Sequence, residues 1–318
     1  MIKMDLSVVV PVFNESESLP ELLAWIKRVA KGMSITYEVI LVDDGSRDGS
    51  WEVIRTLSAT NPELRGIRFQ HNYGKAAALQ SGFTAAQGKV VITMDADLQD
   101  SPDEIPELYR MITQDQYDLV SGWKKKRKDP ISKRWPSKFF NFVARLNSGI
   151  RIHDFNCGLK AYDSQVVKSI EVFGDMHRYT PILAKKAGFT RIGEKVVVHH
   201  ERKYGKTKYG WERLFTGALD LLTVSFITRF SKKPMHFFGT LGMLMMLFGA
   251  LVAAWIIGVK VHAVINRLPW REATDQPLFY LALVAVIIGV QLFLAGFLAE
   301  LVSRSSADRN KYLIAEEL

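Results

Sequence analysis

The chain has 318 residues, enough for one large domain or two smaller ones. A formal net charge of +9 points to anionic partners such as phosphates, lipid headgroups or nucleic acid. The single cysteine, Cys157, excludes an intrachain disulfide framework and a multi-cysteine zinc site, and suits a reducing compartment. Most of the charge precedes Lys233, and two long apolar runs follow it.

The opening segment MIKMDLSVVVPVFNE holds an apolar run too short for a signal peptide and passes straight into a core strand. Residues 6–12 form a short, continuous apolar run, the pattern of a strand buried on both faces. An amphipathic helix over 19–31 follows, then a strand over 38–42 that ends in Asp43, Asp44, Gly45 and Ser46. A helix over 49–59, a strand over 66–69 and a small-residue helix over 76–86 come next. A strand over 90–94 runs into Asp95, Ala96 and Asp97; a helix over 103–113 and a strand over 119–122 close the series. Strands alternating with helices predict an α/β fold with a doubly wound, mostly parallel sheet, whose ligands sit at the carboxyl ends of the strands. Asn14 and Glu15, Asp43 and Asp44, and Asp95 and Asp97 all fall at that edge.

The middle of the chain is more basic and less regular. It holds Lys124, Lys125, Lys126, Arg127 and Lys128, then an amphipathic pattern over 135–143 with Trp135, Phe139 and Phe142 among basic residues. That pattern fits a helix lying on a membrane surface or one packed on the sheet. A strand is expected over 196–198, and a second amphipathic helix over 211–230. Residues 235–259 carry no charge apart from His236, and 277–299 carry none, so each run exceeds the roughly 20 residues needed to span a bilayer. Arg229, Lys232 and Lys233 precede the first run; Arg304, Arg309 and Lys311 follow the second. This distribution places both termini and the globular part in the cytoplasm. The expected organisation is a catalytic domain over 1–210, an interfacial region over 211–233, two spans within 234–302 and a cytoplasmic tail over 303–318.

The strongest chemical signal is Asp95, Asp97 and Gln99 directly after a strand. In extended backbone alternate residues point the same way, so these side chains would offer three hard oxygens to Mg²⁺ or Mn²⁺. Asp43 reads as a partner for a nucleotide base or ribose, or as part of a capped turn, and Glu15 as a ribose partner that also favours a helix start. Adjacent His199 and His200 on a strand would face opposite sides and make poor joint ligands. Cys157 reads as a small buried filler, with no histidine pairing that would make it a nucleophile. The basic run has no aromatic stacking platform or known nucleic-acid module beside it, so nucleic acid is not expected as a partner.

The succession PVFNE, DDGS, NYGKAAALQSG and DADLQD resembles the inverting glycosyltransferases of family 2, which have the GT-A fold. DFNCGLKAYD at 154–163, ERKYGKTKYG at 201–210 and the two terminal apolar runs narrow the resemblance to the polyisoprenyl-phosphate glycosyltransferases, the dolichol-phosphate mannose synthase group and its bacterial relatives. The resemblance implies transfer of a sugar, with inversion, from a UDP- or GDP-linked donor to a polyisoprenyl phosphate at the membrane. It implies metal and diphosphate binding by Asp95, Ala96, Asp97 and Gln99, and nucleotide binding by Pro11, Asn14, Glu15 and Asp43. Asn72, Gly74 and Lys75 match a loop near the sugar nucleotide, and Arg202 and Lys208 a basic segment that closes over the donor phosphates. Lys124, Arg134 and Ser137 match the acceptor-phosphate region, with Lys124 in place of an arginine common in the dolichol-type enzymes. Asp97 and Asp154 are the expected catalytic carboxylates; Asp154 either organises the acceptor or holds a basic side chain. A homo-oligomer is compatible with these features. The competing readings are transfer to another membrane lipid and a non-catalytic membrane adaptor. A processive polysaccharide synthase would carry a Q-x-x-R-W motif and further spans, and this sequence has neither.

Overall fold

The structure is a computed structural model that describes residues 4–125, 141, 144, 145, 148–174, 176–204 and 234–305. The expected helices over 135–143 and 211–230, and the site residues Arg134, Ser137 and Lys208, lie outside the described residues. The chain divides into two compact units, Met1–Ser225 and Phe226–Leu318.

The first unit is built on a seven-stranded sheet of order β3-β2-β1-β4-β6-β5-β7. Its elements are β1 (Leu6–Val12), α1 (Leu19–Gly32), β2 (Tyr37–Asp43), α2 (Ser50–Thr60), β3 (Leu64–Arg68), α3 (Lys75–Ala85), β4 (Val90–Thr93), α4 (Ile105–Thr113), β5 (Leu119–Trp123), β6 (Lys160–Asp163), α5 (Ser164–Ser169), α6 (Thr180–Lys186) and β7 (Ile192–Val196). The central β1 has Leu6, Val8, Val9 and Val10 fully buried, as a strand covered by helices on both faces must. The β1–β2, β1–β4, β2–β3 and β5–β7 pairs are parallel. The sheet is therefore mostly parallel, as expected, with one reversal. Strand β6 was not read from the sequence, and it inserts antiparallel between β4 and β5. Because β6 runs backwards, the segment entering it lies at the same edge as the carboxyl ends of the parallel strands.

Three local expectations need correction. The strand expected over 196–198 runs instead over Ile192–Val196, where it pairs with β5. The helix expected from residue 103 begins as a 3₁₀ turn, Pro102–Glu104, capped by Ser101, whose hydroxyl accepts the Asp103 amide at 3.3 Å. More consequentially, β4 stops at Thr93, so residues 95–99 are not extended. Leu98 adopts φ 60° and is only 4% exposed; this apolar anchor pins a tight turn where strand alternation was expected.

The second unit is a helical hairpin of α7 (Pro234–Ile265) and α8 (Pro277–Ser305). Both are long and apolar enough to cross a membrane, with mean hydropathy 2.3 and 2.6. Their apolar side chains face outward, with Leu251 62% and Trp255 71% exposed, where a soluble core helix would bury them. Glycines let the two backbones approach: a Cβ on Gly242 would lie 2.6 Å from the Gly289 carbonyl oxygen.

Candidate active site

Loops at the carboxyl edge of the sheet are tied to one another. After β1, Asn14 takes φ 53°, its amide donates to Ser46 Oγ at 2.9 Å, and its side-chain oxygen accepts the Arg47 amide at 2.8 Å. The Glu15 amide donates to Ser50 Oγ at 3.0 Å. After β2, Asp43 Oδ1 accepts the Ser46 amide at 3.1 Å. Asp43 Oδ2 is buried without a hydrogen bond among the described residues, with Arg68 Nε 3.7 Å away. Pro11 lies in β1 opposite Val42 of β2, one residue before this turn.

Asp44 ties down the loop after β3. It is 4% exposed and accepts the Tyr73 amide at 2.7 Å and the Gly74 amide at 2.9 Å. Burial pushes its carboxyl above the ordinary value, and those two amides work against the rise. Gly45, at φ 70°, lies against the same loop; a Cβ there would come within 2.6 Å of the His71 backbone. Gly74 ends the loop at φ 94° and hands the chain to Lys75, the first residue of α3, whose ammonium pairs with Asp95. An open cleft of about 640 Å³ lies beside these loops, lined by Phe13, Asn14, Arg68, Phe69, His71 and Asn72 among others.

The turn after β4 brings the acidic residues together. Ala96 is buried at 4% and Asp97 at 8% exposure, while Asp95 is part-exposed. Arg202 Nη2 donates to Asp97 Oδ2 at 2.5 Å, and its Nη1 lies 3.8 Å from Glu15. Burial and the neighbouring Asp95 carboxylate raise the Asp97 pKa against the opposing pull of Arg202. Each of the two carboxylates is thus faced by a cation of the chain itself. Gln99, expected as a third oxygen ligand, donates Nε2 to the His200 carbonyl at 3.4 Å, and its backbone carbonyl accepts the His200 amide at 2.8 Å. With the Asp100–His199 bridge beside them, these bonds bring the segment carrying Arg202 to Asp97.

Lys124 emerges from β5 with its side chain 10% exposed and its Nζ 2.7 Å from the fully buried Asp100. Burial pushes the Asp100 carboxyl up, but Lys124 and His199 together hold it below the ordinary range, and Asp100 in turn raises Lys124. The Lys124 charge is therefore neutralised inside the protein. Asp154 is 3% exposed; its Oδ1 accepts the Asn156 amide at 3.0 Å and its carbonyl accepts Ser121 Oγ at 3.1 Å, which orders the turn into β6. Cys157 is fully buried, and burial pushes its thiol up to about 12. Asp44, Arg68, Asp100 and His199 were not singled out as site residues from the sequence. Asp44 and Asp100 stand inside the acidic motifs, one position beyond the residues chosen.

Asp95 and Asp97 are hard oxygen donors close enough to perturb each other. Among the described residues no group of three or more His, Cys, Asp or Glu is arranged to hold a metal ion by itself. A pair of carboxylates suits an Mg²⁺-type ion that completes its shell with water and substrate phosphate.

A profile of Glycosyl transferase family 2 matches residues 7–171, over half of the chain. The chain belongs to glycosyl transferase family 2. This family 2 glycosyltransferase is 36% identical over 309 residues, covering 95% of the chain and 88% of the relative, to the dodecaprenyl-phosphate galacturonate synthase of Rhizobium johnstonii. It is 34% identical over 317 residues, covering 98% of the chain and 92% of the relative, to the undecaprenyl-phosphate 4-deoxy-4-formamido-L-arabinose transferase of Shewanella sediminis. Its fold is that of the GT-A enzymes. Glucosyl-3-phosphoglycerate synthase of Mycobacterium tuberculosis, solved with Mn²⁺ and UDP-glucose, superposes with a TM-score of 0.55 at 18% identity, covering 71% of this chain and 79% of that one.

Proposed function

We propose that this glycosyltransferase moves a sugar from a nucleoside diphosphate to a polyprenyl phosphate at the cytoplasmic face of a membrane, with inversion at the anomeric carbon. The observation that carries the reading is the meeting of Asp95 and Asp97 with Lys75 and Arg202 at the carboxyl edge of the sheet, in a chain with two membrane-length helices. The near full-length similarity to two transferases named for polyprenyl phosphates supports the acceptor class.

Asn14, Glu15, Asp43 and the loop 72–74 border the nucleoside, with the cleft beside Phe13 and Arg68 open to the base and ribose. Asp95 and Asp97 would hold Mg²⁺ or Mn²⁺, which supplies positive charge to the diphosphate as it departs. Lys75 and Arg202 lie on the same carboxylates and can turn their charge to the phosphate oxygens, stabilising the charge that grows there. The attacking lipid phosphate is ionised near neutral pH, since a phosphate monoester has its second pKa near 6. No strong base is required, and the buried Asp154, committed to its own turn, organises the acceptor wall. With Lys124 neutralised by Asp100, the grip on the acceptor phosphate passes to Arg134 and Ser137. Residues 1–210 form the catalytic domain and 234–302 its anchor.

The full chain in lipid nanodiscs, given undecaprenyl phosphate and a panel of radiolabelled UDP- and GDP-sugars, should make one chloroform-soluble glycolipid, and excess chelator should stop the reaction. Transfer to diacylglycerol but not to the lipid phosphate would overturn the acceptor assignment. Undiminished turnover in chelator would overturn the metal.

A further inference from the structure

The antiparallel pairing of β4 with β6 ends with Thr93 opposite Lys160, so the turn after β4 and the segment entering β6 leave the sheet at the same edge. Position 158 is a glycine. A Cβ there would stand 2.7 Å from Cγ, Oδ1 and Oδ2 of Asp95 alike. Equal distances to all three atoms mean that the Asp95 carboxylate lies face-on against the Gly158 Cα. The backbone does not itself call for glycine, because Gly158 is absent from the residues with left-handed φ. Only the space does. That space is held from both sides. Thr93 Oγ1 donates to the Gly158 carbonyl at 2.8 Å, and Lys160 Nζ, on β6, donates to the Cys157 carbonyl. Lys75 pairs with the Asp95 carboxylate from α3.

We propose that Gly158 is a positioning residue: its missing side chain is the seat that fixes the Asp95 carboxylate for metal and diphosphate binding. The inference rests on the metal reading above and assigns a residue to it that no acidic motif contains. Ordinary contact begins at 3.4 Å, so a methyl group at 158 would drive the carboxylate back by about 0.7 Å, several times the roughly 0.2 Å tolerance of a metal–ligand distance. Asp95 is 31% exposed and can swing toward solvent, so the displacement is local.

The test uses the full chain in nanodiscs, with free Mn²⁺ counted by electron paramagnetic resonance in the presence of UDP and, separately, GDP. Gly158→Ala should bind Mn²⁺ at least tenfold more weakly and raise the donor KM, leaving the acceptor KM unchanged. Gly122→Ala is the comparator, because the nearest atoms to its Cβ would be Cys157 Sγ of the same turn at 2.8 Å, the Leu159 carbonyl oxygen at 3.0 Å and Val197 at 3.1 Å, rather than Asp95; it should bind Mn²⁺ like the parent. Wild-type Mn²⁺ affinity in Gly158→Ala, or an equal loss in Gly122→Ala, overturns the proposal. If Gly158→Ala lowers the thermal midpoint, adding Asp95→Ala should remove the clash, so the double variant should melt with Asp95→Ala alone. A double variant that melts lower overturns the proposal as well. A parent protein that binds no Mn²⁺ refutes the metal reading before any substitution is made, and the seat falls with it.

Discussion

Lys160 is a lysine buried within the sheet. It lies on β6 between β4 and β5, is 3% exposed, and donates to the Cys157 carbonyl. Burial pulls its pKa down from 10.5 to about 8, only partly offset by nearby anionic groups. A depression of that size corresponds to about 3 kcal/mol of native-state cost. Below pH 8 both native and unfolded chains hold the proton, and the whole cost is present. Between pH 8 and 10.5 the unfolded chain binds more protons than the native one, so stability from this group rises with pH and is lost again as pH falls through 8. Lys160→Met keeps the long apolar stem and removes the charge. Below pH 8 the relieved cost is offset by loss of a charged hydrogen bond, about 1.5–3 kcal/mol, so variant and parent should be nearly equal. At pH 10.5 the parent should have gained about 3 kcal/mol on the variant, a relative rise of roughly 6–12 °C in melting midpoint for a unit of this size. Tryptophan fluorescence melts of both proteins in nanodiscs at pH 7.5 and 10.5 measure this. A parent-minus-variant difference that stays flat across that range would refute the reasoning.

Asp44→Ala removes the acceptor for the Tyr73 and Gly74 amides that set up Lys75; donor affinity by calorimetry should fall about tenfold, and unchanged affinity would show that the loop holds itself. Gly242→Leu would push a side chain into the Gly289 carbonyl and the Phe293 amide, separating α7 from α8; trypsin should then cut faster at Arg267 and Arg271 in the connecting loop. For the orientation of the anchor, a cysteine probe at Ala273 should react with an impermeant thiol reagent outside intact cells and one at Asp308 should not. The opposite pattern would place the catalytic unit outside.

Much of the candidate site was legible because polar residues ended apolar runs. In a parallel α/β sheet that coincidence alone locates the ligand edge, and Asn14, Asp43 and Asp95 all lie there. The two apolar runs were equally plain, since length and lack of charge decide whether a helix can cross a bilayer. What local pattern could not supply was partnership. Lys124, matched by resemblance to the acceptor-phosphate region, has Asp100 2.7 Å from its ammonium, a partner that its basic run does not announce. Gln99 stands two residues from Asp97, and only the fold shows that Leu98 turns the chain between them and that the Gln99 Nε2 reaches the His200 carbonyl.

The order of chemistry along the chain was therefore a property of the sequence: which strands end in acids, which loop brings Lys75, where the anchor begins. The antiparallel insertion of β6 belonged to the tertiary structure alone. Its pairing partners are remote in sequence, and a four-residue strand has too few positions to announce its direction. That reversal carries the turn 154–158 to the carboxyl edge of the parallel strands and lays a glycine against Asp95, a contact between residues 63 positions apart. Side-chain periodicity reports which face of an element is buried. It carries no record of which distant backbone must make room for a carboxylate.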